Sequence, residues 1–328
     1  MSDFQDIVGH EQLIAHIKSA IQMKKVSHAY IIQGDYDSGK KMLASVFAKT
    51  LQCEQKGSSP CNKCVSCMQS DSGNHPDIIY VGHEKSSSIG IDDVRTQING
   101  SIQVKPYSSE YKIYIVDEAE KMTVEAQNAL LKTIEEPPSY GILMLLTTNL
   151  GKLLPTILSR CVVLQIKPVK DEKIKKHLLS LGIDEEKASF STAFAMGNVG
   201  KAIKVATSDE FQEIKNDCVH MLKYAKDMEV YELILASKEL TKYKLQIYDY
   251  LDFMLMWYRD ILLLKATGNA NSLIYQEEYI ALREGAKRSS YEGLQIVIEE
   301  IEKAKVRLHA NVNFELAMEL LWIAIKEN

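Results

Sequence analysis

A strand that turns through glycines straight into a helix limits the folds open to this chain more than any other feature. Ala29-Tyr30-Ile31-Ile32 is a β-rich apolar run, Gln33-Gly34-Asp35-Tyr36-Asp37-Ser38-Gly39 follows as a glycine loop, and a helical pattern starts near Lys40. In the spacing Gly34-x4-Gly39-Lys40, glycines let backbone N–H groups wrap a phosphate. The helix N-terminus adds partial positive charge, and the lysine reaches the terminal phosphates. The next position, where Ser or Thr holds Mg²⁺ in a working loop, is Lys41. An ammonium cannot ligate a metal cation and repels it, so the loop reads as phosphate-binding architecture with hydrolysis impaired. The plainer alternative is a strand-to-helix turn whose glycines only permit the bend.

Further apolar runs alternate with helical patterns up to about residue 167: Ile78-Ile79-Tyr80-Val81, Ile113-Tyr114-Ile115-Val116, Ile142-Leu143-Met144-Leu145-Leu146 and Val162-Val163-Leu164. Near-continuous apolar strands separated by helices predict an α/β half with a parallel sheet covered on both faces. The third run ends in Asp117-Glu118-Ala119-Glu120, the form of a Walker B motif. In a working site the aspartate holds Mg²⁺ through water and Glu118 polarises the attacking water. Acids after a strand also cap helices, but the glycine loop upstream strengthens the reading.

Cys53, Cys61, Cys64 and Cys67 follow the spacing C-x7-C-x2-C-x2-C. Four thiolates close a tetrahedral shell around Zn²⁺ and leave no open catalytic position, so the pattern predicts a structural zinc; reduced surface thiols are the alternative. The intervening Gly57-Ser58-Ser59-Pro60 is turn-rich and polar, and metal ligation would replace a core there. His75 and His83 lie nearby but read as structural, and Cys218 reads as a small buried hydrophobe.

Beyond about residue 170 helical periodicity takes over. Leu251, Met254, Leu255, Tyr258, Ile261 and Leu262 recur at i, i+3, i+4 and i+7. A second stripe runs through Leu294, Val297, Ile301, Ala304 and Leu308, with Ser289-Ser290-Tyr291-Glu292 as a capping box. The Met- and aromatic-rich Phe253–Tyr258 stretch reads as core. Boundaries fall at Lys167-Pro168 and at Thr207-Ser208-Asp209-Glu210, where the serine suits a helix cap. Lys85-Ser86-Ser87-Ser88 reads as a loop.

With 328 residues and 46% hydrophobic content, two or three domains are expected and a wholly disordered chain is excluded. The longest apolar run, Ile142–Leu146, is far below the roughly 20 residues of a membrane helix. The acidic start Ser2-Asp3-Phe4-Gln5-Asp6 lacks the basic flank of a secretory signal, so a cytoplasmic location is expected. A net charge of −5 with no basic block argues against strong nonspecific nucleic-acid binding by the chain alone.

Taken together these motifs resemble the AAA+ clamp-loader subunits of bacterial DNA polymerase III. The resemblance is carried by Asp6-Ile7-Val8-Gly9-His10-Glu11, Ser27-His28-Ala29-Tyr30, the phosphate loop, and the four-cysteine insert after the loop's helix. It extends through Asp117-Glu118-Ala119-Glu120, Gln127-Asn128-Ala129-Leu130-Leu131-Lys132-Thr133-Ile134-Glu135-Glu136-Pro137-Pro138, Thr147-Thr148-Asn149 and Ser159-Arg160-Cys161. It implies a RecA-like AAA+ domain over residues 1–167 with a zinc module at 53–67, a helical lid at 168–208, and an all-α collar at 209–328 for oligomerisation. It implies a degenerate nucleotide site at Val8, Gly34, Gly39, Lys40, Asp117, Glu118 and Asn149, with Thr148 and Asn149 in the sensor position. Arg160 becomes an arginine finger acting in trans. Gly197-Asn198-Val199-Gly200-Lys201-Ala202 resembles the second sensor, with Gly200 where an active subunit carries arginine. Lys41 and Gly200 place the chain nearer the delta-prime type than the ATP-hydrolysing gamma/tau type. The implied partners are delta and gamma/tau subunits in a hetero-pentameric ring, the sliding clamp and primed DNA. The alternatives are a gamma/tau-type ATPase or an unrelated P-loop kinase or ATPase; no polymerase activity is expected from this chain.

Overall fold

The computed structural model describes residues 2–82, 87–310 and 312–328, so His83, Lys85 and Ser86 lie outside the described residues. Two compact units emerge: residues up to Leu181 together with Ala195–Lys201, and Gly182–Phe194 together with Ala202–Asn328. Of the three helices that follow the sheet, Asp171–Ser180 belongs to the first unit and Glu185–Ala195 almost wholly to the second, while the division falls within Val199–Thr207.

The first unit is built on a parallel sheet of β1 (Ala29–Gln33), β2 (Ile78–Val81), β3 (Lys112–Val116), β4 (Gly141–Thr147) and β5 (Val162–Gln165), in the order β2-β3-β4-β1-β5. Every strand foreseen from the apolar runs is present. The pleat sends alternate side chains to opposite faces, which explains why the central runs are apolar throughout. Tyr30, Ile32, Ile113, Ile115, Met144 and Leu146 bury on one face, with Ile17 of helix Glu11–Gln22 and Leu43, Val46 and Phe47 of helix Lys40–Gln52. Ala29, Ile31, Tyr114, Val116, Leu143 and Leu145 bury on the other, with Ala126, Leu130 and Ile134 of helix Val124–Glu135. Phe47 stands edge-on to Tyr30, with ring centroids 5.1 Å apart. Truncating a fully buried Phe to Ala costs about 3–5 kcal/mol. The edge strand β5 departs from full coverage: Leu164 is buried while Val162 and Val163 are exposed. An apolar run does not itself tell an edge strand from a central one.

The second unit is helical. Helix Ile247–Thr267 is its centre, packed by Asp209–Tyr224, Tyr279–Arg288 and Tyr291–His309. Neighbours on several sides explain why Phe253, Met254, Met256, Trp257 and Tyr258 are all buried, beyond the single stripe the periodicity indicates. Cys218 is fully buried, with its thiol toward Tyr250 O. Ser208 caps Asp209–Tyr224 through Phe211 N–H, as expected. Helix Tyr291–His309 starts one residue later than the sequence box implies: Ser290 is the cap and accepts from Gly293 N–H. With glycine three positions into the helix there is no carboxylate to reach back, so the expected Ser289–Glu292 box does not form. Among the described residues, no helix is long and apolar enough to cross a membrane.

Candidate functional site

Parallel strands end on one edge of a sheet, and the order β3-β4-β1 brings three loops together there. Gly34–Gly39 follows β1, Asp117-Glu118 follows β3, and Thr148-Asn149 follows β4, with Gln33 paired to Thr147 and Val116 to Leu145. Gly39 adopts φ 90° immediately before helix Lys40–Gln52, a conformation glycine takes without a Cβ penalty. Lys40 is buried, and its Nζ donates to Gly34 O at 2.8 Å and Asp35 O at 2.6 Å. The ammonium therefore sits in the loop's own carbonyls, and burial lowers its pKa against the pull of the Glu120 and Asp117 carboxylates. Lys41 Nζ lies 4.0 Å from Asp117 Oδ2. A cation thus stands beside the carboxylate expected to face Mg²⁺.

Glu118 and Glu120 on this edge are engaged too. Glu118, in the left-handed region at φ 49°, pairs with Lys121 at 2.7 Å. Glu120 accepts from Thr148 Oγ1 at 2.7 Å and Thr148 N–H at 3.3 Å. Burial alone would raise Glu120, but these hydrogen bonds outweigh it and hold the group below its ordinary value. Asn149 Oδ1 accepts from Gly151 N–H at 2.9 Å and caps the short turn Leu150–Lys152.

The loop crest is covered by the segment that resembles a second sensor. Asn198 Nδ2 donates to Tyr36 O at 2.6 Å, while its Oδ1 accepts from Lys201 N–H at 3.0 Å. A Cβ on Gly200 would lie 2.1 Å from Asp37 O, a distance no side chain survives. Gly197, at φ 90°, approaches Pro168 so closely that a Cβ would come within 2.5 Å. Gly9 meets Val169 in the same way, which brings the half-buried Val8 to the start of this wall. The glycine loop is thus packed against Asn198 through its side chain and against Gly200 backbone to backbone.

Arg160 lies at the opposite edge. It precedes β5, which pairs in parallel with β1 through Tyr30–Val162 and Gln33–Gln165. A strand of this length rises roughly 15 Å, so the guanidinium and the phosphate loop stand at opposite ends of adjacent strands. Arg160 Nη2 pairs with Glu135 Oε1 at 2.9 Å.

Away from both edges, the four cysteines converge. The Sγ atoms of Cys53, Cys61, Cys64 and Cys67 all lie within 4.8 Å of one another, and Cys61 and Cys67 are 3.9 Å apart. Thiolates at about 2.3 Å from a tetrahedral Zn²⁺ are about 3.8 Å apart, so the donor set fits the ion. Backbone N–H groups support the sulfurs: Cys61 N–H points to Cys53 Sγ, Cys64 N–H to Cys61 Sγ and Cys67 N–H to Cys64 Sγ. Donation from Lys63 and Cys64 N–H lowers the Cys61 thiol to about 6. His75 is buried behind the cluster, its Nδ1 accepting from Asp77 N–H at 3.1 Å and its Nε2 3.0 Å from Ser66 Oγ. Because Ser66 Oγ donates to Gln52 O, His75 Nε2 carries the proton and the ring is neutral.

The family model described as DNA polymerase III, delta subunit, matches residues 9–170. The DNA polymerase III subunit delta' of Bacillus subtilis (strain 168) is 30% identical over 317 residues, covering 94% of this chain and 94% of that protein. The chain belongs to the clamp-loader subunit family of DNA polymerase III. The tau subunit of the same bacterium is 27% identical over 343 residues, covering 96% of this chain and 60% of that protein. Among solved structures, a gamma subunit-related protein of Thermotoga maritima aligns over 96% of this chain and 99% of its own with TM-score 0.44 and 20% identity. This clamp-loader subunit has the parallel sheet and helical C-terminal region that its apolar runs and helical periodicity predict.

Two contacts in this clamp-loader subunit, Asn198 to Tyr36 O and Glu135 to Arg160, were not read from the sequence, although Asn198 and Glu135 both lie in motifs that were. Asn198 left a local signal, an Asn directly before the helical run Val199–Thr207. Glu135 left none, because its partner Arg160 is 25 positions away on another element (160 − 135 = 25).

Proposed function

We propose that this clamp-loader subunit is of the delta-prime type: a largely non-hydrolysing ring component that supplies Arg160 in trans to nucleotide held by a neighbouring subunit while the sliding clamp is placed on primed DNA. The observation that carries the reading is the position of Arg160 at the sheet edge opposite its own phosphate loop. From there it cannot serve a nucleotide in cis. A guanidinium spreads positive charge over phosphoryl oxygens, and a finger given in trans is worth roughly 10³–10⁵ in rate. The exposed Val162 and Val163 beside it offer apolar surface to a neighbour.

The chain's own nucleotide edge supports the same reading. Lys40 occupies the loop carbonyls, Lys41 opposes Mg²⁺ at Asp117, and Gly200 leaves the second-sensor position without a cation. In this reading residues 1–167 form the AAA+ domain, 168–208 the lid and 209–328 the collar, with delta and gamma/tau subunits as ring partners. Cys53, Cys61, Cys64 and Cys67 hold a structural Zn²⁺, which when bound ties helix Val65–Asp71 to the end of helix Lys40–Gln52.

The test is steady-state ATP turnover of the reconstituted loader, with clamp and primed DNA, comparing wild type with Arg160→Ala. The isolated chain serves as the blank. A fall of tenfold or more with assembly intact and a silent blank supports the delta-prime reading. Turnover by the isolated chain, or an Arg160→Ala loader as fast as wild type, overturns it and favours a gamma/tau-type subunit.

A further inference from the structure

Arg160 is not a free side chain. Its Nη2 meets Glu135 Oε1 at 2.9 Å, and its Nη1 donates to Thr156 O at 3.1 Å and Ser159 Oγ at 3.2 Å. A guanidinium carries five N–H groups in a fixed fork. The two Nη1 contacts are hydrogen bonds and the Glu135 contact is a charge pair, so the Nε–H and the Nη2–H groups have no hydrogen-bond acceptor among the described residues.

The acceptors stand on rigid supports. Glu135 ends helix Val124–Glu135, anchored by the buried Ile134 and Leu130 and followed by Glu136 and the stiff Pro137-Pro138. Thr156 belongs to the short helix Pro155–Leu158, anchored by the fully buried Ile157. Stability does not account for the carboxylate. A helix C-terminus carries partial negative charge and disfavours an acid in its last turn. With side chains 40% and 47% exposed, the Arg160–Glu135 pair contributes little to folding. With the two Nη1 hydrogen bonds, the carboxylate restrains the orientation of the guanidinium.

We infer that Glu135 is a positioning residue for Arg160, its charge holding the guanidinium so that the Nε–H and Nη2–H groups face a phosphoryl group of a neighbouring subunit's nucleotide. The inference rests on the trans-finger reading. A side chain already held in its working geometry gives up less entropy when the nucleotide arrives, and loss of that order appears in turnover rather than in nucleotide affinity.

The experiment compares Glu135→Ala, Glu135→Gln, Arg160→Ala and the double variant Glu135→Ala/Arg160→Ala in the reconstituted loader with clamp and primed DNA. Glu135→Ala is expected to lower kcat roughly tenfold without changing KM for ATP, the melting temperature of the chain or ring assembly. Glu135→Gln, which keeps the side chain's length but not its charge, should recover only part of the rate. The double variant should be no slower than Arg160→Ala alone, because a positioning residue has nothing left to position. If Arg160→Ala is slow but Glu135→Ala matches or exceeds wild type, or if the two losses multiply, the positioning role falls and the trans finger stands. If Arg160→Ala itself has no effect, both fall.

Discussion

Replacing Gly200 by alanine sets two physical effects of opposite sign against each other. Gly200 lies in the first turn of helix Val199–Thr207, where helix propensity alone favours alanine by up to about 1 kcal/mol. The added Cβ, however, would stand 2.1 Å from Asp37 O and 3.1 Å from Asp37 C. The nearest comfortable carbon–oxygen approach is about 3.3 Å, so the loop and the helix start must part by about 1.2 Å. Neither side is a pliable side chain. The loop is stitched by Lys40 to Gly34 O and Asp35 O, and Gly197 is pressed on Pro168. The separation also breaks the 2.6 Å hydrogen bond from Asn198 to Tyr36 O. Overpacking of this kind costs about 1–3 kcal/mol and the lost hydrogen bond about 1 kcal/mol. Net of propensity, Gly200→Ala should destabilise the first unit by about 1–3 kcal/mol. For a domain of about 150–250 residues that corresponds to a fall in Tm of about 2–12 °C. Urea and thermal unfolding followed by circular dichroism measure it, and hydrogen exchange should show faster exchange over residues 34–40. A variant as stable as wild type, or more stable, would refute the backbone contact between Gly200 and Asp37.

Three further outcomes are expected. The chain should retain about one zinc through purification, and a strong chelator or Cys64→Ser should open residues 53–67 to protease, since Gly57, Ser58 and Ser59 have no core to hold them; substoichiometric metal with folding indifferent to chelator contradicts this. Mg²⁺ should barely change ATP affinity of the isolated chain in calorimetry. A dication near the Lys41 ammonium at about 4 Å is opposed by about 2 kcal/mol even in water, roughly thirtyfold, so Lys41→Thr should introduce Mg²⁺ dependence; a large Mg²⁺ gain in the wild type sinks the argument. Burial holds the His75 pKa below the ordinary histidine value. The unfolded chain therefore takes up a proton that the folded chain refuses. Stability from this group is complete above the ordinary histidine range and falls as pH drops through it. Urea midpoints from pH 7.5 to 5.5 should decline more steeply for wild type than for His75→Asn; parallel slopes would remove His75 as the cause.

What could be read from residues alone was what local chemistry forces. Apolar runs of strand length, glycines at the turn before Lys40, and four cysteines at ligand spacing each constrain a few consecutive positions, and each stands where its pattern put it. Strand order was not among these. That β4 lies between β1 and β3, while β5 is an edge strand with Val162 and Val163 exposed, depends on which strands pair, and every apolar run looks alike before pairing. The helix cap near Ser290 shifted by one residue for a related reason: neighbouring serines offer the same hydroxyl, and only the folded backbone selects one.

Lys41 and Gly200 were legible as departures from a working phosphate site because residue type alone decides whether a metal can be ligated or a cation presented. Their contacts were not. Gly200 against Asp37 O, Lys41 beside Asp117, and Glu135 beside Arg160 each join positions far apart in the chain. Sequence determined the chemistry each residue carries, through short-range rules of spacing and side-chain type. Tertiary structure decided which chemistries meet, because strand pairing and close packing set distances that no local pattern encodes.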